Sequence, residues 1–250
     1  MAGREFERQE RKFIQLINQA VKTNKGNPIT LVSNELKLEG VIKAEKFRKR
    51  FAVCEVTGGG EPYTDVVLHV RSLKGLEKFN VSMKGERTPS LAGGGACGIN
   101  TLIPGLVNKF MRMVYARLCL KLKMGDKVPE TFGKISPHDR VKIVVGSEKI
   151  GGPIHYMYIG SMNVIGNYDT VKNILTVNGN LFDAVEYANS RTLFLYLRAR
   201  HADQRFDPTA RDRMGIPKIY SGWNEPGRKN SPGRIAVTEK THNMAVVVQL

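Results

Sequence analysis

Two short segments in which apolar and polar side chains alternate place the strongest constraint on the fold of this chain. They are TDVVLHV at 64–70 and KFNVSMK at 78–84, and Gly75 lies in the connection between them. Because successive side chains of a β-strand point to opposite faces of the sheet, each segment is predicted to be a strand with one apolar face. The short connection favours a hairpin.

The same alternation assigns the polar residues of this hairpin to a face. Val81 and Met83 are expected to point into the core, so Ser82 and Lys84 point together to the other side. Asp65 stands at the start of the first strand. An acidic residue at a strand start, followed by two polar residues two positions apart with Lys last, is a functional arrangement in one large group of enzymes.

An amphipathic helix is predicted over residues 3–24, because apolar side chains recur there at helical spacing. The apolar stripe comprises Phe6, Phe13, Ile17 and Val21, and it is widened by Ile14, Leu16 and Ala20. Glu10 lies between Phe6 and Phe13 on the same face, where an apolar residue would be expected. The sequence KGNP at 25–28 is expected to end the helix.

The rest of the chain is predicted to mix helices and strands. A long helix is expected near 103–123 and a short one near 180–189. Strands are expected at 51–56, 141–146, 154–159, 171–177 and 192–198, with a closing hairpin from 234–239 and 243–250. These elements predict an α/β or α+β fold with a central mixed sheet flanked by the two longer helices. We expect a single domain over 1–250, with a motif-bearing core at 1–125 and further strands and an Arg-rich segment at 126–250.

The charge balance narrows the class of partner. The chain carries 39 Lys and Arg against 23 Asp and Glu, for a formal net charge of +16. Because uncompensated charges repel one another and oppose compaction, we expect the excess to serve a polyanionic partner. DNA or RNA, an anionic membrane and an acidic protein all qualify, and nucleic acid is the commonest. A structural role like that of a ribosomal protein, or a generally basic proteome, would also account for the charge.

Basic residues are concentrated in a segment at 43–50, on one flank of the helix at 103–123, and at 198–234. The candidate nucleic-acid contacts in these segments are Lys46, Arg48, Lys49, Arg50, Lys109, Arg112, Arg198, Arg200, Arg211, Arg213, Arg228 and Lys229. Lys and Arg neutralise phosphates, and Phe206, Tyr220 and Trp223 of the last segment could stack on exposed bases.

Other patterns argue against several classes of protein. The three cysteines are widely spaced and form no CxxC pair, so no zinc motif is expected. The glycine-rich run at 91–98 lacks the GK[ST] ending of a phosphate-binding loop, so a flexible loop near DNA or a plain connector is expected. Charged residues crowd the N-terminus, and no apolar run approaches the roughly 18 residues that span a membrane. We expect a soluble cytoplasmic protein without a membrane partner, and a viral origin would place it in an infected host cell.

The pieces TDVVL and NVSMKG resemble the two halves of the signature of the PD-(D/E)xK, or restriction-endonuclease-like, nucleases. The resemblance covers at most residues 1–100, and the motif is short. It implies a site in which an Asp and a second acidic residue on the next strand bind Mg²⁺, while a Lys two positions later lies by the attacking water. An acidic residue on an N-terminal helix often completes such a site.

Carried over to this chain, the resemblance assigns metal binding to Asp65 and the role of the catalytic lysine to Lys84. Glu10 or Glu7 would be the helix carboxylate, with Glu10 as a further ligand of Mg²⁺ or Mn²⁺. Ser82 stands where the family has its second acidic residue, and a hydroxyl is a poorer ligand than a carboxylate for a hard cation. Either the helix glutamate or Glu86 is expected to supply the missing charge, or the fold has kept DNA binding and lost catalysis.

Two functions from different classes follow from these patterns. The leading hypothesis is a Mg²⁺-dependent endonuclease of phage or restriction type that hydrolyses phosphodiester bonds of DNA, with RNA as another possible substrate and a homodimer as a possible assembly. The alternative is a nucleic-acid-binding protein without catalysis, such as a viral replication, packaging or structural accessory factor. Cleavage of nucleic acid distinguishes the two.

Overall fold

The computed structural model describes residues 2–34, 36–48, 62–86, 95–199, 205–211, 215, 219, 233–239 and 245–250, with side chains except at 2–4, 95–97, 198–199 and 233–234. Contacts divide the chain into two compact units. Unit 1 comprises Met1–Lys49, Pro62–Pro89 and Val145–Tyr187, and unit 2 comprises Arg50–Glu61, Ser90–Val144 and Ala188–Leu250. The predicted mixed α/β fold is confirmed, and the organisation as a single domain stays a prediction.

The described part of the chain contains five helices and twelve strands. The helices are α1 (Ala2–Thr23), α2 (Gly95–Leu102), α3 (Leu106–Cys119), α4 (Pro137–Val145) and α5 (Ala184–Ser190), with a 3₁₀ turn at Glu148–Ile150. The strands are β1 (Ile29–Val32), β2 (Lys37–Lys46), β3 (Val66–Ser72), β4 (Gly75–Gly85), β5 (Thr131–Lys134), β6 (Tyr156–Gly160), β7 (Gly166–Asp169), β8 (Ile174–Val177), β9 (Asn180–Asp183), β10 (Phe194–Ala199), β11 (Gly233–Thr238) and β12 (Val246–Gln249). None of the described helices is both long and apolar enough to cross a membrane.

Unit 1 is built on an eight-stranded mixed sheet that packs against α1. The strands lie in the order β7-β8-β1-β2-β3-β4-β6-β9, in which the pairs β1–β8 and β4–β6 are parallel. The predicted apolar stripe of α1 is confirmed, since Phe13 and Ile17 are fully buried in one core with Leu68 and Val81 of the sheet. Phe6 alone of the four main stripe residues stays exposed. Removing this apolar surface from water stabilises the unit by about 25 cal/mol per Å².

The predicted hairpin is confirmed as β3 and β4. Gly75 lies in the turn with a φ of 110°, a conformation that its missing Cβ makes accessible. Val66 pairs with Val81 in the register, and the N–H of Asp65 donates to the carbonyl of Val81 at 3.0 Å. Asp65 and Ser82 therefore lie side by side where the two strands meet.

Unit 2 is built on a four-stranded sheet in the order β11-β10-β5-β12, in which β5 and β12 are parallel. α3 covers one face, because the buried Phe110 lies over Gly133, where a Cβ would come within 2.6 Å of the ring. The closing hairpin predicted from 234–239 and 243–250 is wrong. β11 pairs with β10 and β12 pairs with β5, so the two strands lie at opposite edges.

The long helix predicted near 103–123 is confirmed as α3, with narrower bounds. Pro104 and Gly105 separate α3 from α2. Proline has no N–H for a helical hydrogen bond, and Gly105 has a φ of 80°, outside the helical region. Residues 95–98 of the glycine-rich run at 91–98, predicted as a loop or connector, belong to α2. Residues 91–94 of that run lie outside the described residues, as does the strand predicted at 51–56.

The strand predicted at 141–146 is wrong, because residues up to Val145 form the end of α4. An apolar run as short as VKIVV does not distinguish helix from strand by its periodicity. The decisive signal lies upstream, where Ser136 Oγ accepts the Asp139 N–H at 3.2 Å and Pro137 takes the first helical position.

The helix predicted near 180–189 begins later, at Ala184, and the residues before it form β9. Asp183 explains this boundary, because its Oδ1 accepts the N–H groups of Val185 and Glu186 at 2.9 and 3.0 Å and so caps α5. The strands predicted at 154–159 and 192–198 are confirmed as β6 and β10, and the one at 171–177 narrows to β8.

Candidate active site

Asp65 is the centre of a polar cluster on the β3–β4 hairpin in unit 1. Its Oδ2 accepts two hydrogen bonds from β4, one from the Met83 N–H at 2.6 Å and one from the Ser82 hydroxyl at 3.2 Å. Both bonds follow from the hairpin register, which sets the start of β3 against the end of β4. The carboxylate is thereby held in one orientation, with both described hydrogen bonds on Oδ2.

The electrostatic surroundings of Asp65 connect it with the other predicted residues. Burial raises the pKa of this carboxyl to about 6, against the lowering effects of the Lys84 ammonium and the Met83 N–H. The negative charge of Glu10 raises the pKa further, and the Ser82 hydrogen bond lowers it. Asp65, Ser82, Lys84 and Glu10 thus form one electrostatically coupled group, in which a carboxylate and an ammonium act on the same buried acid.

Gln9 fixes the position of α1 relative to this group. Its side chain is fully buried, and its Nε2 donates to the carbonyls of Gly160 and Ser161 at 3.1 Å each and of Lys84 at 3.4 Å. These carbonyls lie at the ends of the parallel strands β4 and β6, so a single amide joins the helix to both strands. Gln9 Oε1 is buried and finds no hydrogen-bond partner among the described residues.

Glu10 follows Gln9 and turns its carboxylate toward the end of β2. Its side chain is only 13% exposed, and its Oε2 lies 3.0 Å from Lys46 Nζ. This ion pair lacks the alignment of a hydrogen bond, so Glu10 Oε2 remains a buried acceptor. Lys46, predicted as a phosphate contact, is therefore a neighbour of the helix carboxylate.

Glu7, the other predicted helix carboxylate, has different surroundings. It is exposed, and its Oε2 lies 3.7 Å from Arg11 one turn along α1. Its charge is not among those that shift the pKa of Asp65, whereas that of Glu10 is. Glu86, the other predicted source of charge, is exposed and raises the pKa of Tyr158 instead. Glu10 is the helix acid of this cluster.

The predicted nucleic-acid contacts are spread over both units. Arg48 is exposed in unit 1, and Lys109 and Arg112 are exposed on α3 in unit 2. The Arg211 guanidinium stacks over the ring of Tyr115 at 4.7 Å and donates to its hydroxyl at 3.0 Å. The backbone of Arg198 belongs to β10, but its side chain lies outside the described part. Lys49, Arg50, Arg200, Arg213, Arg228 and Lys229 also lie outside the described residues.

The cluster offers two carboxylates to a cation. Across the described residues, no group of three or more His, Cys, Asp or Glu side chains could hold a metal ion. Mg²⁺, however, is usually bound through only one or two carboxylates together with water and substrate phosphate. Among the described residues no hydrogen bond to Asp65 Oδ1 is formed, and Glu10 Oε2 is buried beside Lys46 Nζ, which a metal ion would have to displace. These two carboxylates fit that mode, whereas Ser82 donates its hydroxyl to Asp65 and so orients the carboxylate instead.

A second polar group, which joins β2 to β3, was not anticipated from the sequence. His69 Nε2 lies 2.9 Å from Glu45 Oε1, and Lys43 Nζ lies 2.6 Å from Glu45 Oε2. These hydrogen bonds from Lys43 and His69 lower the pKa of Glu45 to about 2. His69 stands four residues along β3 from Asp65, about 13 Å away at strand spacing, so this group is separate from the cluster.

No family model, curated protein or solved structure matches this chain. The chemistry of the cluster is therefore argued from its own side chains.

Proposed function

We propose that this protein is a divalent-metal-dependent endonuclease that hydrolyses phosphodiester bonds of DNA. The observation that carries the proposal is the convergence of Lys84 and Glu10 on the buried carboxyl of Asp65, whose Oδ2 is held by β4. Strand acid, strand lysine and helix acid are the three parts that the resemblance to PD-(D/E)xK nucleases requires. The net charge of +16 supports a polyanionic substrate.

Asp65 and Glu10 would hold the divalent ion, Mg²⁺ or Mn²⁺. Such an ion, when bound, lowers the pKa of water and neutralises charge on the phosphate. Ser82 and the Met83 N–H keep Asp65 oriented, and Gln9 keeps Glu10 beside it. Because burial penalises the charge on Asp65, its carboxylate gains from a nearby cation and is a better ligand than an exposed one.

Lys84 is the side chain that we propose acts on the attacking water and the phosphate. Its ammonium acts on Asp65 from the same strand that holds Ser82. An ammonium at this place orients the attacking water and stabilises negative charge on the phosphate as it develops. Lys46, half exposed at the end of β2 beside Glu10, and Arg48, exposed beyond it, would hold flanking phosphates in this proposal.

The test is incubation of supercoiled plasmid with the protein and Mg²⁺ or Mn²⁺. Asp65→Ala and Lys84→Ala are expected to abolish cleavage while binding to DNA persists. The matched controls are Glu7→Ala, an exposed acid one turn from Glu10, and Lys78→Ala, an exposed lysine on the same strand as Lys84. Both controls should cleave like the wild type. Intact DNA and RNA with every divalent metal would rule out the enzyme.

The second candidate is a nucleic-acid-binding protein without catalysis. The observation that favours it is Ser82, which occupies the position two residues before Lys84 where the family has its second acidic residue. On this alternative, affinity for DNA or RNA falls steeply with salt, with a log–log slope of about −0.9 per phosphate contacted. Cleavage that both Asp65→Ala and Lys84→Ala abolish would exclude it. The cytoplasmic location and the homodimer belong to the proposal in either form.

A further inference from the structure

A groove of about 490 Å³ lies in unit 2 between the second half of α3 and β12. It is lined by Met113, Ala116, Arg117, Leu120, Val248 and Gln249. Leu120 is 78% exposed, and Met124 shortly after α3 is exposed as well. Contiguous apolar surface that is open to water and bordered by polar groups is characteristic of a binding surface. We call this surface, with the adjoining edge of β12, the β12 groove.

The free edge of β12 borders this groove. β12 is the outermost described strand of its sheet. The N–H groups of Val246 and Leu250 donate to carbonyls on the β5 side at 2.9 and 3.1 Å. Because N–H groups alternate in direction along a strand, those of Val247 and Gln249 point away from β5. Such an edge offers backbone donors and acceptors to which an extended chain can add.

The surface around the groove is positive. From 106 to 127 the chain has one acidic residue, Asp126, whose Oδ2 accepts the Lys123 N–H at 2.7 Å. The basic residues of the same stretch are Lys109, Arg112, Arg117, Lys121, Lys123 and Lys127, all exposed. Within the part of the chain that the structure describes, none of these six forms an ion pair. Their positive charge is therefore available to a partner.

Positive charge lies on both faces of the sheet at this edge. Gly133 faces α3, so the next residue of β5, Lys134, faces the other way and is exposed. Lys134 is the register partner of Gln249. Glu130 lies on the same face as Lys134, and its Oε1 accepts the Tyr196 hydroxyl at 2.7 Å. A strand added to β12 would thus have Arg117 on the α3 side and, on the opposite side, Lys134 at one end and Glu130 at the other.

We propose that the β12 groove binds an extended peptide segment of a partner protein, in which apolar residues alternate with Asp or Glu. The segment adds to β12 as a fifth strand, paired with the backbone of Val247 and Gln249. Its apolar side chains lie in the groove beside Leu120 and Val248, and its carboxylates face the Lys134 side. The site stands apart from the proposed nuclease activity and does not depend on it.

Two other occupants are disfavoured by the same observations. A second copy that paired through the same edge would bring two sets of unpaired cations together, which is repulsive. Nucleic acid has the required charge, but its backbone cannot extend a sheet. The lining side chains also include no aromatic ring on which a base could stack.

The test uses the full chain and a fluorescein-labelled peptide of about eight residues in which Glu alternates with Ile, a length that matches a short strand. Its anisotropy should show saturable binding. A peptide with Lys in place of Glu, and one with proline in place of the central Ile, should bind at least about tenfold more weakly. Hydrogen exchange should slow at 245–250 when the Glu peptide binds. Equal binding of all three peptides, or no protection at 245–250, would overturn the proposal.

Variants locate the site. Val247→Pro removes an N–H of the outer edge without touching the β5 side, and Lys134→Glu reverses the charge on the side that the peptide carboxylates face. Each should weaken binding of the Glu peptide about tenfold or more, whereas Lys74→Glu, the same charge change at an exposed turn of unit 1, should not. Binding unaffected by Lys134→Glu would contradict the proposal, as would displacement of the peptide by oligothymidine. A dimer of the wild type that Val247→Pro dissociates would assign the edge to a second copy instead.

Discussion

The Asp65 cluster of unit 1 and the β12 groove of unit 2 both carry charge, but they arrange it in opposite ways. Around Asp65 the charged groups are largely enclosed and act on one another, so that burial raises the pKa of Asp65 to about 6. Around the groove the cations are exposed and, in the described structure, unpaired. Burial disfavours the charged form of Asp65 in the first region, whereas the cations of the second region stay in contact with water.

This difference in burial suits the Asp65 cluster to a chemical role and the β12 groove to binding a partner. A buried acid with a shifted pKa beside a lysine is poised to bind a cation or move a proton, because its protonation state responds to small changes in its surroundings. Exposed, unpaired cations attract a negatively charged partner over a long range. Substitutions in the first region should therefore alter stability and metal binding, whereas those in the second should alter association and little else.

The largest expected effect is on the pH dependence of stability in the absence of divalent metal. The pKa of Asp65 is about 6 in the folded protein and about 3.8 when unfolded, so the folded state binds the proton more tightly. This group therefore stabilises the fold below about pH 4, and that contribution is lost as the pH rises through 6, by about 3 kcal/mol. Urea unfolding should show Asp65→Asn gaining stability over the wild type by about that amount more at pH 7.5 than at pH 4. An equal difference at both pH values would mean that Asp65 is not buried as described.

The next effect concerns metal binding, measured by calorimetric titration with Mn²⁺. Glu10→Gln removes a charge from the cluster without changing the size of the side chain, and it should weaken binding by about 10- to 100-fold. Lys121→Gln removes one charge near the β12 groove and should leave Mn²⁺ affinity within about twofold. Similar affinities for the wild type and Glu10→Gln would remove Glu10 from the set of ligands.

A smaller effect is expected on the anchoring of α1. Gln9→Ala removes the amide that donates to Gly160, Ser161 and Lys84. Because those hydrogen bonds are lost from a buried position, the free energy of unfolding should fall by about 1–2 kcal/mol. Gln19→Ala, at an exposed position of the same helix, is the control and should change stability by less than about 0.5 kcal/mol. Equal results for the two variants would contradict the anchoring role.

The smallest effect is expected for the cations of the groove. Arg117→Ala removes an exposed, unpaired charge, so the free energy of unfolding should change by no more than about 0.5 kcal/mol. Thermal and urea unfolding measure this directly. A loss above about 1 kcal/mol would show that Arg117 supports the fold of unit 2 rather than serving a partner.

Local patterns predicted the parts of the molecule whose structure is decided by neighbours in sequence. The alternation at 64–70 and 78–84 predicted β3 and β4, and the same alternation put Ser82 and Lys84 on one face. Helical spacing predicted α1, whose stripe is buried at Phe13 and Ile17. Where a local pattern was short, as at 141–146, an apolar run fitted helix and strand equally, and the cap at Ser136 decided for the helix.

Tertiary contacts decided the rest. Glu7 and Glu10 were both candidates for the helix carboxylate, with Glu10 alone predicted as a metal ligand. The docking of α1 on β4 and β6 through Gln9 sets the charge of Glu10, and not that of Glu7, against Asp65. The position of β12 at the edge of its sheet was not predicted either, because the sequence pattern indicated a hairpin of β12 with β11. Periodicity and alternation express the geometry of a single element, so they determine which residues share a face. Which elements then meet depends on burial and pairing between distant segments, and that is set only when the whole chain folds.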